Sequence, residues 1–210
     1  MIAIIDYQMG NLRSVQKAFE KVGQQAVVTN NPSEILTSER VVLPGVGAFG
    51  DAMAELKSRG LDKTVLEVWQ AGTPLLGICL GMQLLFDSSL EHGEHEGLGI
   101  LPGAVLPFQL PAPWKVPHMG WNTVQVSQSC LEHPVFSPLV DPIQHVYFVH
   151  SFYCQPKYEN LVALTCDYGS PFCAAVAHDN VVAMQFHPEK SQQVGLGMLE
   201  RFATWTPQPV

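Results

Sequence analysis

One short stretch, Gly77-Ile78-Cys79-Leu80-Gly81, constrains the fold of this chain more than any other segment. It follows the apolar run 74–76 and leads into 82–86, which reads as the start of a helix. A strand, a tight turn that carries a nucleophile between glycines, and a helix form a nucleophile elbow, here with sulfur in place of oxygen. Such a turn holds its side chain in a strained position, and the glycines allow close packing and substrate approach. The pattern alone leaves two interpretations of Cys79 open, a catalytic thiol or a buried structural cysteine.

A second segment, Gln185-Phe186-His187-Pro188-Glu189, favours catalysis. Pro188 biases the residue before it toward an extended backbone, where residues two apart face the same side. His187 and Glu189 can therefore project together, with the carboxylate placed to orient the imidazole. With Cys79 as the nucleophile, we predict a Cys-His-Glu triad.

Composition narrows the class of protein. The chain has 210 residues, of which 47% are hydrophobic and 14% charged, and this predicts one well-packed domain over residues 1–210. No apolar run approaches the roughly 20 residues of a membrane span, and the N-terminus lacks the features of a signal peptide. Five cysteines, odd in number and without short paired spacings, suggest neither disulfides nor a metal site, and fit a cytoplasmic location. A net charge of −8 without a Lys/Arg cluster argues against nucleic-acid binding.

Strand and helix signals alternate through the first half of the chain. Apolar runs predict strands at 2–6, 25–29, 40–43 and 74–78. Apolar residues at helical spacing predict helices at about 12–22, 32–36, 51–59 and 61–70. This alternation predicts an α/β fold with a mostly parallel central sheet flanked by helices, and ligands bind at the carboxyl ends of such strands.

The second half has a different character. Prolines break regular structure at 102, 107, 111, 113 and 117. Short strands are then predicted at 123–126, 146–150, 161–165, 173–177 and 181–186. We expect additional antiparallel strands here, a hairpin turn at Asp179-Asn180, and a closing helix over about 193–205.

The two motifs together resemble the class I, or triad-type, glutamine amidotransferases. Three further segments resemble the family of glutaminase subunits of imidazole glycerol phosphate synthase, an enzyme of histidine biosynthesis: residues 43–50, 117–122 and 147–152. The resemblance runs from Ile4 to about Phe202, and Pro117-His118-Met119-Gly120-Trp121-Asn122 is its most subfamily-specific part.

The resemblance implies hydrolysis of glutamine to glutamate and ammonia, without a cofactor. Cys79 would attack the side-chain carbonyl carbon and form a thioester. His187 would take the thiol proton and then protonate the leaving ammonia, while Glu189 would hold the imidazole in the productive tautomer. General acid–base catalysis of this kind is typically worth about 10²–10⁴-fold.

The tetrahedral intermediate requires an oxyanion hole. One donor is expected from the backbone N–H of Leu80, directly after the nucleophile. The other is expected from the loop Gly45-Val46-Gly47, in which the family uses a peptide flip that glycine tolerates well. The alternative is that these glycines only serve a tight turn from strand to helix.

Substrate binding is expected from two places. Gln83 lies one helical turn beyond Cys79, and the resemblance assigns it to the amino-acid part of glutamine. His150, Ser151 and Phe152 would line the pocket and bind through backbone groups. The family often has Tyr where Phe152 stands, and the missing hydroxyl leaves the expected backbone contacts untouched.

The resemblance also implies a partner. The family docks on a (β/α)₈ cyclase subunit as a heterodimer and passes it ammonia, from which the cyclase makes imidazole glycerol phosphate and a purine precursor, AICAR. Asn11, Met119 and Trp121 are the candidate contact residues, although core packing is an equally good interpretation of Trp121.

Other interpretations remain open at this point. Residues 91–96, Glu-His-Gly-Glu-His-Glu, contain metal-ligand types, but a polar loop is the better interpretation. The chain could also serve another synthase of the superfamily, hydrolyse γ-glutamyl compounds without a partner, or be a pseudo-enzyme. A free-standing hydrolase would be fast alone, whereas a synthase subunit would depend on its partner.

Overall fold

Strands and helices alternate in the first half of the computed structural model, which describes residues 1–136 and 144–207. The first half contains β1 (Ile2–Ile5), α1 (Leu12–Lys21), β2 (Ala26–Thr29), α2 (Pro32–Leu36), β3 (Arg40–Gly45), α3 (Phe49–Ser58), α4 (Leu61–Gln70), β4 (Leu75–Cys79) and α5 (Leu80–Leu84). The second half contains β5 (Phe86–Ser89), β6 (His95–Glu96), β7 (Leu101–Pro107), β8 (His118–Val126), β9 (Gln144–His150), β10 (Phe152–Pro156), β11 (Val162–Asp167), β12 (Pro171–His178), β13 (Val181–Met184) and α6 (Gln192–Thr204).

The centre of the sheet is parallel, in the order β2-β1-β3-β4-β13. Successive side chains of a strand point to opposite faces, and β1 shows this clearly. Ile2 and Ile4 join the hydrophobic core that includes α1 and α6, whereas Ala3 and Ile5 join the core that includes α3 and α4. Both faces of the sheet are therefore buried, as expected for a parallel sheet covered by helices.

The second half continues the same sheet with mostly antiparallel pairs. From β13 the order runs β12-β10-β7-β5-β6, and β11, β8 and β9 branch from β12. The predicted α/β fold with antiparallel strands in the C-terminal half is confirmed. The single domain over 1–210 remains a prediction, and it is supported by a sheet that passes through both halves.

Two local predictions were wrong. Pro102 and Pro107 do not interrupt regular structure, because they lie near the two ends of β7, where a missing N–H is tolerated. The helix after the elbow ends at Leu84, and Phe86 already begins β5. Strand β10, at 152–156, was not predicted, and neither were β5, β6 and β7.

The predicted hairpin turn is confirmed. His178 pairs with Val181 across it, and Asp179 adopts a positive φ of 49°. The Asn180 side chain donates hydrogen bonds to the carbonyls of Trp69 and Thr73, at 3.1 and 2.7 Å, which ties the turn to the end of α4. In the ranges 1–136 and 144–207, no helix is long and apolar enough to cross a membrane.

Candidate active site

Cys79 occupies the predicted elbow. It is the last residue of β4 and immediately precedes α5, with φ 55° and ψ −112°. A positive φ is uncommon for a residue with a side chain, and strain of this kind gathers at functional sites. The elbow requires a glycine at position 81, on the helix side, because a Cβ there would lie 1.8 Å from the carbonyl oxygen of Leu43. The thiol is nearly buried, at 6% exposure.

His187 and Glu189 reach the same edge of the sheet. Strand β13 lies parallel to β4, with Ala183 beside Gly77 and Met184 beside Ile78, so the chain leaving β13 passes the end of β4. His187 Nδ1 and Glu189 Oε1 are 2.8 Å apart, and both side chains are almost completely buried. The predicted imidazole–carboxylate pair is therefore present in the structure.

The protonation of this pair follows from its partners. The carboxylate accepts, so Nδ1 of His187 carries the hydrogen and Nε2 is left to face the thiol. Burial by itself lowers the pKa of His187, but hydrogen bonding and charge from Cys79 and Glu189 outweigh it and raise the pKa to about 9. Within the described residues, Nε2 has no hydrogen bond of standard geometry. Such contacts are often loose until substrate binds.

The chain around His187 is held by a second set of bonds. The His187 N–H donates to the carbonyl of Tyr147 at 2.9 Å. Ser191 Oγ donates to the His187 carbonyl at 2.7 Å and accepts the Tyr147 N–H at 3.0 Å. The imidazole is thus carried by a backbone that β9 and the turn before α6 both anchor.

A cavity of about 320 Å³ opens beside the thiol. Its walls contain most of the residues predicted from the sequence to form the site, together with Glu91, Pro117 and Val149; the predicted ones are Val46, Gly47, Cys79, Leu80, Gln83, His150, Ser151, Phe152 and His187. The size suits a small amino-acid substrate.

The glycine loop lies at the mouth of this cavity. Gly45 pairs with Cys79 in the sheet, Val46 is 40% exposed, and Gly47 has φ 100°, which only glycine adopts easily. The Tyr7 hydroxyl, fully buried, donates to the carbonyl of Pro44 at 2.7 Å. Burial and the neighbouring Cys79 raise the pKa of Tyr7, so the phenol stays protonated and can make this bond. The loop is thus anchored at its start.

Gln83 is oriented by the protein itself. Its side-chain Nε2 donates to Gln185 Oε1 at 3.0 Å and to the carbonyl of Phe152 at 3.2 Å. Gln185 in turn directs its Nε2 to Cys79 Sγ at 3.9 Å. Gln185 stands next to the His-Pro-Glu segment, but its fully buried position was not foreseen. A buried polar side chain directed at a nucleophile can be recognised only in three dimensions.

Glu91 is the second residue that the sequence did not assign to the site. Its Oε2 accepts the backbone N–H of Phe49 at 2.7 Å, and its side chain lines the cavity. No group of residues suited to a metal ion occurs within 1–136 and 144–207. Because Glu91 lines the cavity, part of the polar loop 91–96 forms one of the cavity walls. The sequence around Glu91 indicates only a polar loop, and its place in the cavity wall is seen only in the folded structure.

The three residues expected at a partner interface are all at the surface. Met119 and Trp121 lie on β8 with exposures of 62% and 47%, and the Trp121 ring packs edge-on against Tyr147. Core packing is therefore not the main environment of Trp121. Asn11 is exposed before α1, next to Gly10, whose backbone lies against the start of the glycine loop.

The comparisons with known proteins agree with this geometry. The family described as "Glutamine amidotransferase class-I" matches residues 3–204. The protein named "Imidazole glycerol phosphate synthase subunit HisH" from Rhodopirellula baltica is 54% identical over 204 residues, which cover 97% of each chain. The protein of the same name from Geobacter metallireducens is 55% identical over 207 residues, covering 96% of this chain and 97% of that one.

Solved structures give the same fold at low identity. A "Crystal structure of glutamine amidotransferase" superposes with a TM-score of 0.74 at 18% identity, covering 98% of this chain and all of that one. The "Structure of PurLQS from Thermotoga maritima" superposes with a TM-score of 0.70 at 20% identity, covering 96% of this chain and 94% of that chain.

Proposed function

The chain belongs to the class-I glutamine amidotransferase family, and from this premise we propose that it is the glutaminase subunit of imidazole glycerol phosphate synthase. The observation that carries the proposal is the buried His187–Glu189 pair beside the strained Cys79, at the edge of a substrate-sized cavity. Relatives that share about half of their residues with nearly the whole chain carry that subunit name, which supports this choice among the synthases of the superfamily.

The proposed reaction starts at the thiol. The Cys79 sulfur, after giving its proton to His187 Nε2, attacks the side-chain amide carbon of glutamine and forms a C–S bond. His187 then donates its Nε2 proton to the amide nitrogen, the C–N bond breaks, and ammonia leaves. Water, deprotonated by the same nitrogen, cleaves the thioester to glutamate and restores the thiol. Glu189 keeps Nδ1 protonated throughout.

We propose that the oxyanion hole lies next to the Cys79 thiol. The Leu80 N–H directly follows the nucleophile, Gly45 pairs with Cys79 at the end of the neighbouring strand, and Val46 and Gly47 line the cavity. Two preorganised N–H donors at this point would stabilise the charge that develops on the carbonyl oxygen. Tyr7 supports the arrangement by holding the Pro44 carbonyl at the foot of the loop.

The amino-acid end of glutamine is proposed to lie between Gln83, Glu91 and the segment 150–152. A carboxylate in the cavity wall suits the substrate ammonium group, and the bond from Phe49 keeps Glu91 in place. The carbonyl of Ser151 accepts the Phe108 N–H, and that of Phe152 accepts from Gln83. Because protein donors occupy both carbonyls, we propose that the segment contacts the substrate carboxylate through N–H groups.

The partner is proposed to be a (β/α)₈ cyclase that consumes the ammonia. Exposed apolar side chains occur on β8 and on the segment before it, and we call this set the docking surface: Trp114, Val116, Met119 and Trp121. Pro117 lines both the cavity and a groove formed by Trp114, Val116 and Met119, so the groove adjoins the cavity. Exposed aromatic residues of this kind are frequent anchors at protein interfaces. Asn11 remains a candidate contact on the other side of the loop.

The location in the cell is part of the same proposal. All five cysteines are buried and unpaired, which fits the reducing cytoplasm expected for a biosynthetic enzyme.

Glutamate release from glutamine tests the proposal, with the chain alone and in complex with a cyclase subunit and its nucleotide ligand. We expect low activity alone, strong stimulation in the complex, and loss of activity in Cys79→Ala. Cys166→Ala is the matched control, because it removes another buried thiol, on β11, outside the cavity. Full activity alone and indifference to the cyclase would refute the synthase subunit and indicate a free-standing hydrolase.

A further inference from the structure

Two buried histidines form a hydrogen-bonded pair behind the substrate cavity. His118 on β8 and His150 on β9 are 2% and 6% exposed, and His118 Nδ1 lies 3.0 Å from His150 Nε2. His150 lines the cavity, whereas His118 does not. The reaction proposed above gives His118 no role, and the significance of this pair for glutamine binding rests on that proposed function.

The inner end of the pair is defined by a backbone carbonyl. His150 Nδ1 lies 2.8 Å from the carbonyl oxygen of Phe152, which can only accept. Nδ1 of His150 therefore carries the hydrogen. Burial, the largest cause, lowers the pKa of His150 to about 3, so the ring is neutral and its Nε2 is an acceptor. The hydrogen between the two rings must then come from His118 Nδ1.

The outer end is defined by an amide whose orientation is also determined. Asn122 Oδ1 accepts the Thr123 N–H at 2.8 Å, and Asn122 Nδ2 donates to the carbonyl of Asp167 at 2.8 Å. A flipped amide would lose both bonds. The remaining Nδ2 hydrogen faces His118 Nε2 at 3.3 Å, which accepts it because burial lowers the pKa of His118 to about 4 and keeps the ring neutral.

Every hydrogen bond in this series of four residues thus has one direction. Hydrogens run from Asn122 to His118, from His118 to His150, and from His150 to the carbonyl of Phe152. Both rings must be the Nδ1–H tautomer, which is the minor form of free neutral histidine. A neutral ring has one donor and one acceptor, so a change at one position would force the others to reverse or to lose a bond.

The hydrogen-bonded series ends at Phe152, one of the residues proposed to bind the substrate. The same Phe152 carbonyl also accepts from Gln83, which bonds to Gln185, which is directed at the thiol of Cys79. Displacing this carbonyl would move both the segment 150–152 and the Gln83 side chain.

We propose that His118 and Asn122 are positioning residues for glutamine, and that they act by holding His150 in the neutral Nδ1–H tautomer that fixes the Phe152 carbonyl. Neither residue lines the cavity. Groups of this kind, one layer behind the binding groups, typically cost about 10–100-fold when removed at metal sites, and the same logic of orientation applies here.

The variant His118→Phe separates this role from packing. The His118 ring stacks between Phe148, at 4.7 Å between ring centroids, and Tyr168, at 3.9 Å. Phenylalanine keeps an aromatic ring in that stack but removes both hydrogen bonds. His133→Phe is the matched control, because His133 is also partly buried among aromatic rings, Phe136 and Trp205, and does not line the cavity.

The first measurement is nuclear magnetic resonance of ¹⁵N-histidine-labelled wild-type chain at pH 7, with the His118 signal identified by its absence in His118→Phe and the His150 signal by its absence in His150→Phe. We expect protonated Nδ1 and bare Nε2 for both His118 and His150. A wild-type His150 with its hydrogen on Nε2 would overturn the proposal. This result does not depend on enzymatic activity, so it still decides the matter if the wild-type complex releases no glutamate and the proposed function fails.

The second measurement is steady-state glutaminase kinetics of the complex with the cyclase. For His118→Phe we expect KM for glutamine to rise about tenfold, with a smaller change in kcat and an unchanged rate of Cys79 alkylation by iodoacetamide. His133→Phe is expected to match the wild type. If His118→Phe fails to fold, Asn122→Ala leaves both histidines in place, removes the outer donor together with the bonds to Thr123 and Asp167, and is expected to raise KM in the same direction. A folded His118→Phe or Asn122→Ala with wild-type KM and kcat would refute the positioning role.

Discussion

Adding one methyl group at Gly81 is expected to destabilise the protein strongly, since α5 lies directly on the backbone of β3. A Cβ at Gly81 would be 1.8 Å from the carbonyl oxygen of Leu43 and 2.8 Å from its carbonyl carbon. Ordinary van der Waals contact begins at 3.4 Å, so the two segments would have to separate by about 1.6 Å. The obstacle is backbone, which cannot rotate away like the end of a flexible side chain.

The size of the effect follows from the position of β3. This strand is paired on one side with β1 and on the other with β4, so it cannot move without disturbing the centre of the sheet. Overpacking of a core costs about 1–3 kcal/mol, and Gly81→Ala is expected at about 3 kcal/mol, the upper end. For a chain of this length, about 1 kcal/mol lowers Tm by about 2–4 °C, so Tm is expected to fall by about 6–12 °C.

Thermal unfolding of Gly81→Ala and Gly197→Ala tests this reasoning, because Tm is expected to fall in the first variant and to rise in the second. Gly197 lies inside α6, and its Cβ would meet only the end of the Arg201 side chain, at 3.1 Å. Alanine there is expected to stabilise the helix by about 0.5–1 kcal/mol. Glutaminase activity should also fall in Gly81→Ala alone, because β3 carries Gly45 beside Cys79. A Tm of Gly81→Ala equal to or above the wild-type value would refute the close-contact argument.

The remaining predictions concern the imidazole, the substrate pocket and the docking surface. Glu189→Gln should move the alkaline limit of kcat/KM, expected near pH 9, to lower pH, because the carboxylate helps raise the pKa of His187; pH–rate profiles test this, and an unmoved limit would contradict it. Because folding raises the pKa of His187, its protonation stabilises the folded state; this contribution is complete below pH 6.5 and is lost as the pH rises through about 9, and wild-type thermal melts across this range can check it. Glu91→Gln should raise KM for glutamine about tenfold without lowering Tm, since it removes the charge facing the substrate ammonium but keeps an acceptor for Phe49; steady-state kinetics decide, with equal KM as the contrary result. Trp121→Ala should weaken cyclase binding in calorimetry by more than about 1 kcal/mol at unchanged glutaminase activity of the free chain, and unaltered affinity would remove Trp121 from the interface.

Much of the parallel half could be predicted because its signals are local. Apolar runs of strand length, helical periodicity and the glycines around Cys79 all act over a few residues, and the observed β1 to β4 follow the predicted strands closely. The hairpin at Asp179-Asn180 was equally accessible, since turn residues between two apolar runs indicate it directly.

The antiparallel half was harder to predict for a physical reason. Pro102 and Pro107 normally oppose strand structure, but their cost depends on whether a neighbouring strand needs the missing N–H. In β7 they lie near the ends, and β10 pairs along its length. The partners of a strand are set by the whole sheet, and a single segment does not carry that information.

The sequence by itself determined which groups make up the candidate site: a thiol at an elbow, and an imidazole with a carboxylate two residues further on. These assignments depend on residue type and short spacing, which the chain displays directly. Only the tertiary structure decided what surrounds them. Glu91 and Gln185 enter the site, and His118 joins a polar chain to His150, because strands distant in sequence become neighbours in the sheet. A hydrogen bond requires two atoms at about 3 Å, and separation along the chain does not predict that distance.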